Sequence, residues 1–139
     1  MKSTATARWE GSAGKITAAS GLFKDAPYNA KGRFEGGEPG TTPEELIAAA
    51  HAACFSMALN VALTRSGVTA KSIETKAVVE VIVGPSGANI TGSALASTVE
   101  APGADAAKIR EIAESAKKGC PVSKALTGTN ISLELDVTT

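Results

Sequence analysis

The sequence predicts an α+β fold in which antiparallel β-hairpins pack on a long central apolar helix and on a second helix. Two observations lead to this prediction. Segments with β-strand character alternate along the chain with two long stretches of helical character. The first of these helices is apolar or small on nearly every face. At 139 residues and 43% hydrophobic residues, the chain fits a single domain covering residues 1–139 with a modest core.

The N-terminal part is predicted to begin with a β-hairpin. The segments TATARWE and GKITAAS have β-strand character, and the connecting GSAG is a hairpin signal. Residues 21–42 are crowded with Gly, Pro, Asn and charged side chains, and we expect them to form a long loop. A loop of that length in a compact domain is usually functional or disordered.

The clearest helical signal lies at residues 42–67. Thr42 is a suitable N-cap, Pro43 suits the first helical position, and two glutamates occupy the first turn. Gly67, just after Arg65, is a typical helix end. Every end signal therefore agrees on one long helix.

The central part of this helix, from Leu46 to Leu63, raises the question of a membrane span because of its length. His51, Ser56 and Asn60, together with many alanines in place of leucines, argue against lipid. A helix that is apolar all round is otherwise a central helix covered on several sides. Because a monomer of 139 residues with one sheet would hardly cover it, we expect a second copy of the chain.

The C-terminal part is predicted to contain a second hairpin, a helix and a final strand. The segments SIETKAVVEVIV and ANITGSALASTVEA, separated by GPSG, form the hairpin of long strands. An amphipathic helix is expected from about Ala106 to Lys118, with Ile109, Ile112 and Ala116 on one face. The closing segment NISLELDVTT alternates, and its inward positions are Ile131, Leu133, Leu135 and Val137.

Charge and composition narrow the functional classes. Fourteen basic residues balance fourteen acidic ones, so no net field attracts nucleic acid or an anionic membrane surface. The expected partner is a small molecule or a copy of the chain. The first residues, MKSTATARWEG, contain no apolar segment of a signal peptide, and a cytoplasmic location is expected. Two cysteines 66 positions apart fit neither a disulfide scaffold nor a Cys-x-x-Cys site.

The two cysteines occupy contrasting positions. Cys54 lies within the apolar helix, where a free cysteine is either simple packing or a reactive thiol. Cys120 lies between Gly119, which ends one helix, and Pro121, which suits the start of the next. Backbone N–H groups at such a start lower the pKa of a thiol from about 8.5. From its position alone, Cys120 is either a reactive or resolving thiol or a small residue at a kink.

Two long segments, RFEGGEPGTTPEELIAAAHAACFSMAL and AKKGCPVSKAL, resemble the osmotically inducible protein C and organic hydroperoxide resistance (OsmC/Ohr) family of thiol peroxidases, on its OsmC branch. The resemblance extends through ARWEG, GVTAKSIET and VEAPGAD to the final strand, and so covers nearly the whole chain. It implies an OsmC-like fold, with antiparallel sheets packed on the long apolar helix plus a second helix, in an intertwined homodimer.

The resemblance also implies a cysteine-based peroxidase that needs no metal, haem or other bound cofactor. In it, Cys54 is the peroxidatic thiol, Cys120 is the resolving thiol, Arg33 holds the thiolate and polarises the peroxide, and Glu44 orients Arg33. The implied substrates are organic hydroperoxides and, less efficiently, hydrogen peroxide. The implied reductant is an external dithiol, such as a dihydrolipoyl group.

Physical chemistry explains why these residue types are needed. A thiol of ordinary pKa is only slightly ionised at neutral pH, and an apolar helix makes ionisation harder, so Cys54 needs a cation. Arginine suits because it stays charged and offers several donors in one plane.

In a continuous helix Glu44 lies roughly 15 Å along the axis from Cys54. We therefore expect Glu44 and Arg33 to reach the Cys54 of a second subunit across a two-fold axis.

Several alternatives stay open from the sequence alone. His51 is either a base paired with Cys54 or a packing or interface residue. Zinc bound by these two residues and Cys120 is not expected, since a fourth ligand and short chelate spacings are missing. Other functions would be a redox-responsive binding or sensor protein without multiple turnovers, or a Cys-His hydrolase. Six apolar side chains belong either to the core or to a mouth for alkyl peroxides: Leu22, Phe23, Tyr28, Phe34, Phe55 and Met57.

Overall fold

The structure, a computed structural model, describes all residues from 1 to 139. The chain forms two compact units, Met1–Leu46 and Ile47–Thr139. The strands form two three-stranded sheets, and helices accompany them, so the predicted α+β fold class is confirmed. That the chain acts as one domain stays a prediction.

The first unit is built on the predicted N-terminal hairpin. Strand β1 (Ala5–Glu10) pairs antiparallel with β2 (Ala13–Ala18). Gly11 in the connecting turn has a φ of 61°, a conformation that glycine adopts without steric penalty. The hairpin prediction is therefore confirmed.

The long loop predicted for residues 21–42 is wrong in its middle part. Strand β3 (Ala26–Asn29) extends the sheet antiparallel to β2, and helix α1 (Ala30–Phe34) follows it directly. Asn29, which suggested a loop, is the N-cap of α1, and its side chain accepts a hydrogen bond from the Gly32 N–H at 2.6 Å. Both elements are short, so their local pattern is weak and pairing with the neighbouring strand decides the structure.

Helix α2 (Pro43–Arg65) begins and ends where the sequence predicts. The Thr42 hydroxyl oxygen accepts a hydrogen bond from the Glu45 N–H at 3.1 Å, which satisfies one of the free donors at the helix start. Gly67 has a φ of 76°, the left-handed conformation that commonly ends a helix. The predicted caps are confirmed at both ends.

The second unit contains a sheet in the order β4-β5-β6. Strands β4 (Ser72–Gly84) and β5 (Gly87–Glu100) form the predicted long antiparallel hairpin. Strand β6 (Asn130–Thr138) pairs parallel with β5, so this pairing differs from the antiparallel arrangement expected. The reason is the connection: helices α3 (Ala106–Gly119) and α4 (Pro121–Ala125) carry the chain back along the sheet before β6 begins.

The core of the second unit collects one face of α2, the inner face of the sheet and α3. On α2 the fully buried apolar side chains recur every fourth residue, at Phe55, Leu59 and Leu63. Strand β5 contributes Leu95 and Val99. The predicted inward side chains of α3 and β6 all pack in this core, which confirms their facing: Ile109, Ile112, Ala116, Ile131, Leu133, Leu135 and Val137.

The opposite face of α2 carries exposed apolar side chains. Met57 is 69% exposed and Val61 is 42% exposed on that face. By length and composition α2 is apolar enough to cross a membrane. Its other face, however, belongs to a packed protein core and carries the buried polar side chain of His51. We therefore assign α2 as a core helix with one apolar face left open.

Candidate active site

Cys54 and Cys120 come together beside the start of α4. Cys54 projects from α2 and is half-buried, whereas Cys120 is fully buried. Cys120 ends α3 and is the N-cap of α4, as the sequence predicts. Both thiols are free, and they lie close enough for each to shift the pKa of the other. The fold thus unites the two cysteines that the sequence separates widely.

The surroundings of the two thiols act on their acidity in opposite directions. Burial raises the pKa of Cys54, the nearby N–H of Val122 offsets part of this, and the Cys120 sulfur raises it again. Burial alone would also raise the pKa of Cys120. The N–H and hydroxyl groups of Ser123, with the Cys54 thiol, outweigh burial and lower it. No cation is among the groups that act on Cys54.

Arg33 and Glu44 form an ion pair within the first unit. The Arg33 Nε lies 3.1 Å from both carboxylate oxygens of Glu44, and Nη2 lies 2.5 Å from Oε1. Hydrogen bonds from Arg33 hold the pKa of the Glu44 carboxyl below its usual value of 4.5, although its burial opposes this. Glu44 is only 6% exposed, so it is a fixed acceptor for the guanidinium. This contact is the one expected of a carboxylate that orients Arg33.

Local structure explains why these two side chains meet. Arg33 lies in the last turn of α1, which Asn29 caps. Glu44 lies in the first turn of α2, where a negative charge is favoured by the helix dipole. The chain between the two helices is closed by a hydrogen bond from the Thr41 N–H to the Pro27 carbonyl oxygen at 2.9 Å.

Aromatic side chains surround Arg33. The ring of Phe34 lies 4.9 Å from the Arg33 Cζ, a cation–π distance. The rings of Trp9 and Tyr28 are 5.6 Å apart. Together these four residues line a cavity of about 130 Å³. An apolar surface beside one fixed cation suits a ligand with an apolar body and a polar reacting group.

A second, larger groove runs along α2 and α3 beside Cys54. Its volume is about 400 Å³, and Met57, Val61 and Arg65 line it together with Cys54. The side chains proposed for a substrate mouth therefore divide between the two cavities and the rest of the molecule. Tyr28 and Phe34 line the cavity at Arg33, Met57 lines the groove at Cys54, Phe55 belongs to the core, and Leu22 and Phe23 line neither.

His51 is fully buried, and both of its ring nitrogens are occupied. Nδ1 lies 2.6 Å from the Ser93 hydroxyl oxygen, and Nε2 lies 2.8 Å from the Ser123 hydroxyl oxygen. Burial lowers the pKa of the imidazole. The ring is therefore not free to act as a base for Cys54, and of the two interpretations left open by the sequence, the packing role agrees with the contacts.

Sequence reasoning missed the two serines that hold His51. Ser93 lies 42 positions and Ser123 lies 72 positions from His51 along the chain. The available signal was weak: each is a small polar residue in a segment whose neighbours face the core. Local patterns do not reveal such partners because the contact depends on the tertiary fold.

The ion pair between Arg33 and Glu44 predicts how the stability of the folded state changes in acid. We expect the pair to stabilise the folded state fully above pH 4.5, the usual pKa of the glutamate, and to lose this effect as the pH falls through the lower folded value. Urea unfolding at a series of pH values should show that the free energy of unfolding declines as the pH falls. In Glu44→Gln this decline should be less steep. Glu35→Gln, which removes an exposed carboxylate, is the matched control. Parallel profiles for wild type and Glu44→Gln would contradict the prediction.

The fold consists of two three-stranded sheets and a central apolar helix, and it holds two free thiols together at a helix junction. These features define a class of two-cysteine α+β proteins. The family model of OsmC-like proteins matches residues 35–136. The chain belongs to this family, which confirms the resemblance seen in the sequence.

Individual relatives support the same assignment. Peroxiredoxin OsmC of Escherichia coli (strain K12) is 48% identical over 124 residues, which is 86% of each chain. Organic hydroperoxide resistance protein-like 2 of Staphylococcus epidermidis is 33% identical over 106 residues, 74% of this chain and 72% of that protein. The crystal structure of the organic hydroperoxide resistance protein OhrB of Bacillus subtilis has a TM-score of 0.74 at 29% identity, and the match covers 99% of this chain and 98% of that one.

Proposed function

We propose that the chain is a cysteine-based peroxidase that reduces organic hydroperoxides to alcohols and is recycled by a dithiol in the cytoplasm. The observation that carries the proposal is the proximity of two free thiols, Cys54 and Cys120, in a member of the OsmC family. Its relatives, named peroxiredoxin OsmC and organic hydroperoxide resistance protein, support a peroxidase-type role.

The proposed cycle has three balanced steps. The Cys54 thiolate attacks the outer peroxide oxygen, the O–O bond breaks, and the alkoxide takes a proton and leaves as an alcohol. Cys54 is now a sulfenic acid. The Cys120 thiolate attacks its sulfur, the S–S bond forms, and the S–O bond breaks to release hydroxide, which is protonated to water. A dithiol such as a dihydrolipoyl group then reduces the disulfide by exchange and is itself oxidised.

The thiolate of Cys54 needs a cation from outside its own surroundings. Burial raises its pKa, and no cation is among the groups that act on it. Arg33 is already paired with Glu44 in the first turn of α2. Since α2 is continuous, Glu44 lies about 15 Å along its axis from Cys54. The proposal therefore takes the cation of each site from a second copy of the chain.

Two further features support a homodimer. Among residues 1–46 the buried ones are Gly14, Ile16 and Glu44, too few for a unit of that size to have a core of its own. The open face of α2 leaves Met57 largely exposed. A two-fold partner would cover both surfaces and bring a second Arg33 to Cys54.

Mass spectrometry tests the central step of this proposal. Reduced protein is treated with one equivalent of tert-butyl hydroperoxide, free thiols are blocked, and the protein is digested without reductant. We expect a peptide in which Cys54 is linked to Cys120, formed within seconds and absent from Cys54→Ser. Two unreacted thiols after the peroxide is added would refute the proposal.

The groove beside Cys54 favours one alternative function, that of a redox-responsive protein that binds an apolar ligand. The two functions differ in turnover. A peroxidase consumes many equivalents of peroxide in the presence of a dithiol. A sensor is oxidised once and changes its affinity for the ligand.

A further inference from the structure

His51 is a buried titratable side chain that the proposed cycle does not use. It lies one turn before Cys54 on α2 and is hydrogen-bonded to β5 through Ser93 and to α4 through Ser123. All three side chains are at least 95% buried, so water does not compete for these contacts. A buried polar group with two partners joins three elements of the second unit in one fixed arrangement.

Ser123 connects this network to the thiols. It lies in the first turn of α4, three residues after Cys120. Its hydroxyl is hydrogen-bonded to the His51 ring and lies close enough to Cys120 to lower the pKa of that thiol. A hydroxyl has a single hydrogen to donate. Which neighbour receives that hydrogen depends on the state of the thiol.

The thiolate state of Cys120 favours one order of hydrogens. A thiolate only accepts, so a Ser123 hydroxyl that interacts with the sulfur does so as a donor. The Ser123 oxygen then accepts from the Nε2–H of His51, and Nδ1 accepts from the Ser93 hydroxyl. The ring stays neutral in this order, which agrees with its complete burial. In the thiol state the order can reverse, because Cys120 can then donate.

We propose that His51 is a positioning residue for the resolving step: through Ser123 it holds a hydrogen-bond donor on the Cys120 thiolate as this thiolate attacks the Cys54 sulfenic acid. This inference rests on the proposed function. Both ring nitrogens of His51 are occupied by the two serines, so His51 itself is not hydrogen-bonded to either sulfur. It accepts from Ser93, donates to Ser123, and so leaves the Ser123 hydrogen for the sulfur.

A rapid-quench experiment separates the step that His51 serves from the step before it. Reduced protein is mixed with excess tert-butyl hydroperoxide, and quenched samples are analysed for Cys54 sulfenic acid, trapped with dimedone, and for the disulfide. We expect His51→Leu to slow disulfide formation about tenfold while Cys54 oxidation stays at the wild-type rate. His51→Gln, which keeps an N–H donor for Ser123, should restore most of the rate. Ser56→Ala, at another polar side chain of α2, is the control.

A second readout distinguishes positioning from a purely structural role. In a Cys54→Ser background Cys120 is the one remaining thiol, and its pKa follows from the pH dependence of its reaction with iodoacetamide. His51→Leu should raise this pKa, and His51→Gln should bring it back. Loss of melting temperature alone would not move it. If His51→Leu does not fold, Ser123→Ala removes the hydroxyl donor itself and should raise the same pKa.

The inference and the proposed function fail in different ways. If wild type forms the disulfide but His51→Leu forms it equally fast with an unchanged Cys120 pKa, the role of His51 is overturned and the peroxidase stands. If wild type itself forms no disulfide, the proposed function fails, and with it the role of His51 in the resolving step.

Discussion

Cys54→Ser is expected to abolish peroxide turnover, lowering the rate by at least about a thousandfold. A serine hydroxyl is essentially un-ionised at neutral pH and is a far weaker nucleophile than a thiolate. Position 54 is half-buried in the middle of α2, so serine fits the space and the fold should persist. Turnover is measured by the loss of tert-butyl hydroperoxide in the presence of a dithiol, and circular dichroism checks the fold. Thr64→Ser, an exposed substitution on the same helix, is the control.

Cys120→Ser should behave differently in the same assay. The first oxidation remains possible, so one equivalent of peroxide per subunit is consumed rapidly. The sulfenic acid on Cys54 then has no resolving thiol, and further peroxide oxidises it to sulfinic acid, which the dithiol does not reverse. A burst followed by a stall is therefore expected. Steady turnover of Cys120→Ser at the wild-type rate would show that the external thiol resolves Cys54 directly.

The sequence predicts elements well where the signals are local. The caps of α2 at Thr42 and Gly67 are local, and the structure has them as predicted. Strand β3 is held by its pairing with β2, and its own four residues carry little pattern, so it was missed. The parallel direction of β6 likewise depends on the course of α3 and α4, because these helices determine the end of the sheet at which β6 begins.

The candidate site follows the same division. The positions of Cys54 and Cys120 within their helices were visible in the sequence, but nothing in a spacing of 66 residues places the two sulfurs together. The contact of Arg33 with Glu44 was implied by the family resemblance and depends on the turn between α1 and α2. The serines that hold His51 come from distant segments, and only the tertiary fold reveals them.

The origin of the cation in each site gives the second large expected effect. Arg33→Ala should lower turnover by about a hundredfold or more, because it removes the cation proposed to stabilise the Cys54 thiolate and the leaving oxygen. A homodimer of Arg33→Ala and a homodimer of Cys54→Ser are then both nearly inactive. Gel filtration at the assay concentration should show a dimer in each case. Wild-type protein that is monomeric at the assay concentration and fully active would refute the cross-subunit arrangement.

A mixed dimer of these two inactive variants distinguishes Arg33 acting in its own subunit from Arg33 acting in the partner. If Arg33 reaches across, one site of the mixed dimer has Cys54 from the Arg33→Ala subunit and the arginine from the other, so about half of the wild-type activity returns. If it acts within its own subunit, both sites are incomplete and no activity returns. The mirror-image control pairs wild type with the double variant Cys54→Ser/Arg33→Ala. There the outcomes exchange: the cross-subunit arrangement leaves no intact site, whereas the alternative leaves one. Because each arrangement predicts activity in one mixed dimer and inactivity in the other, a loss of folding cannot imitate either result.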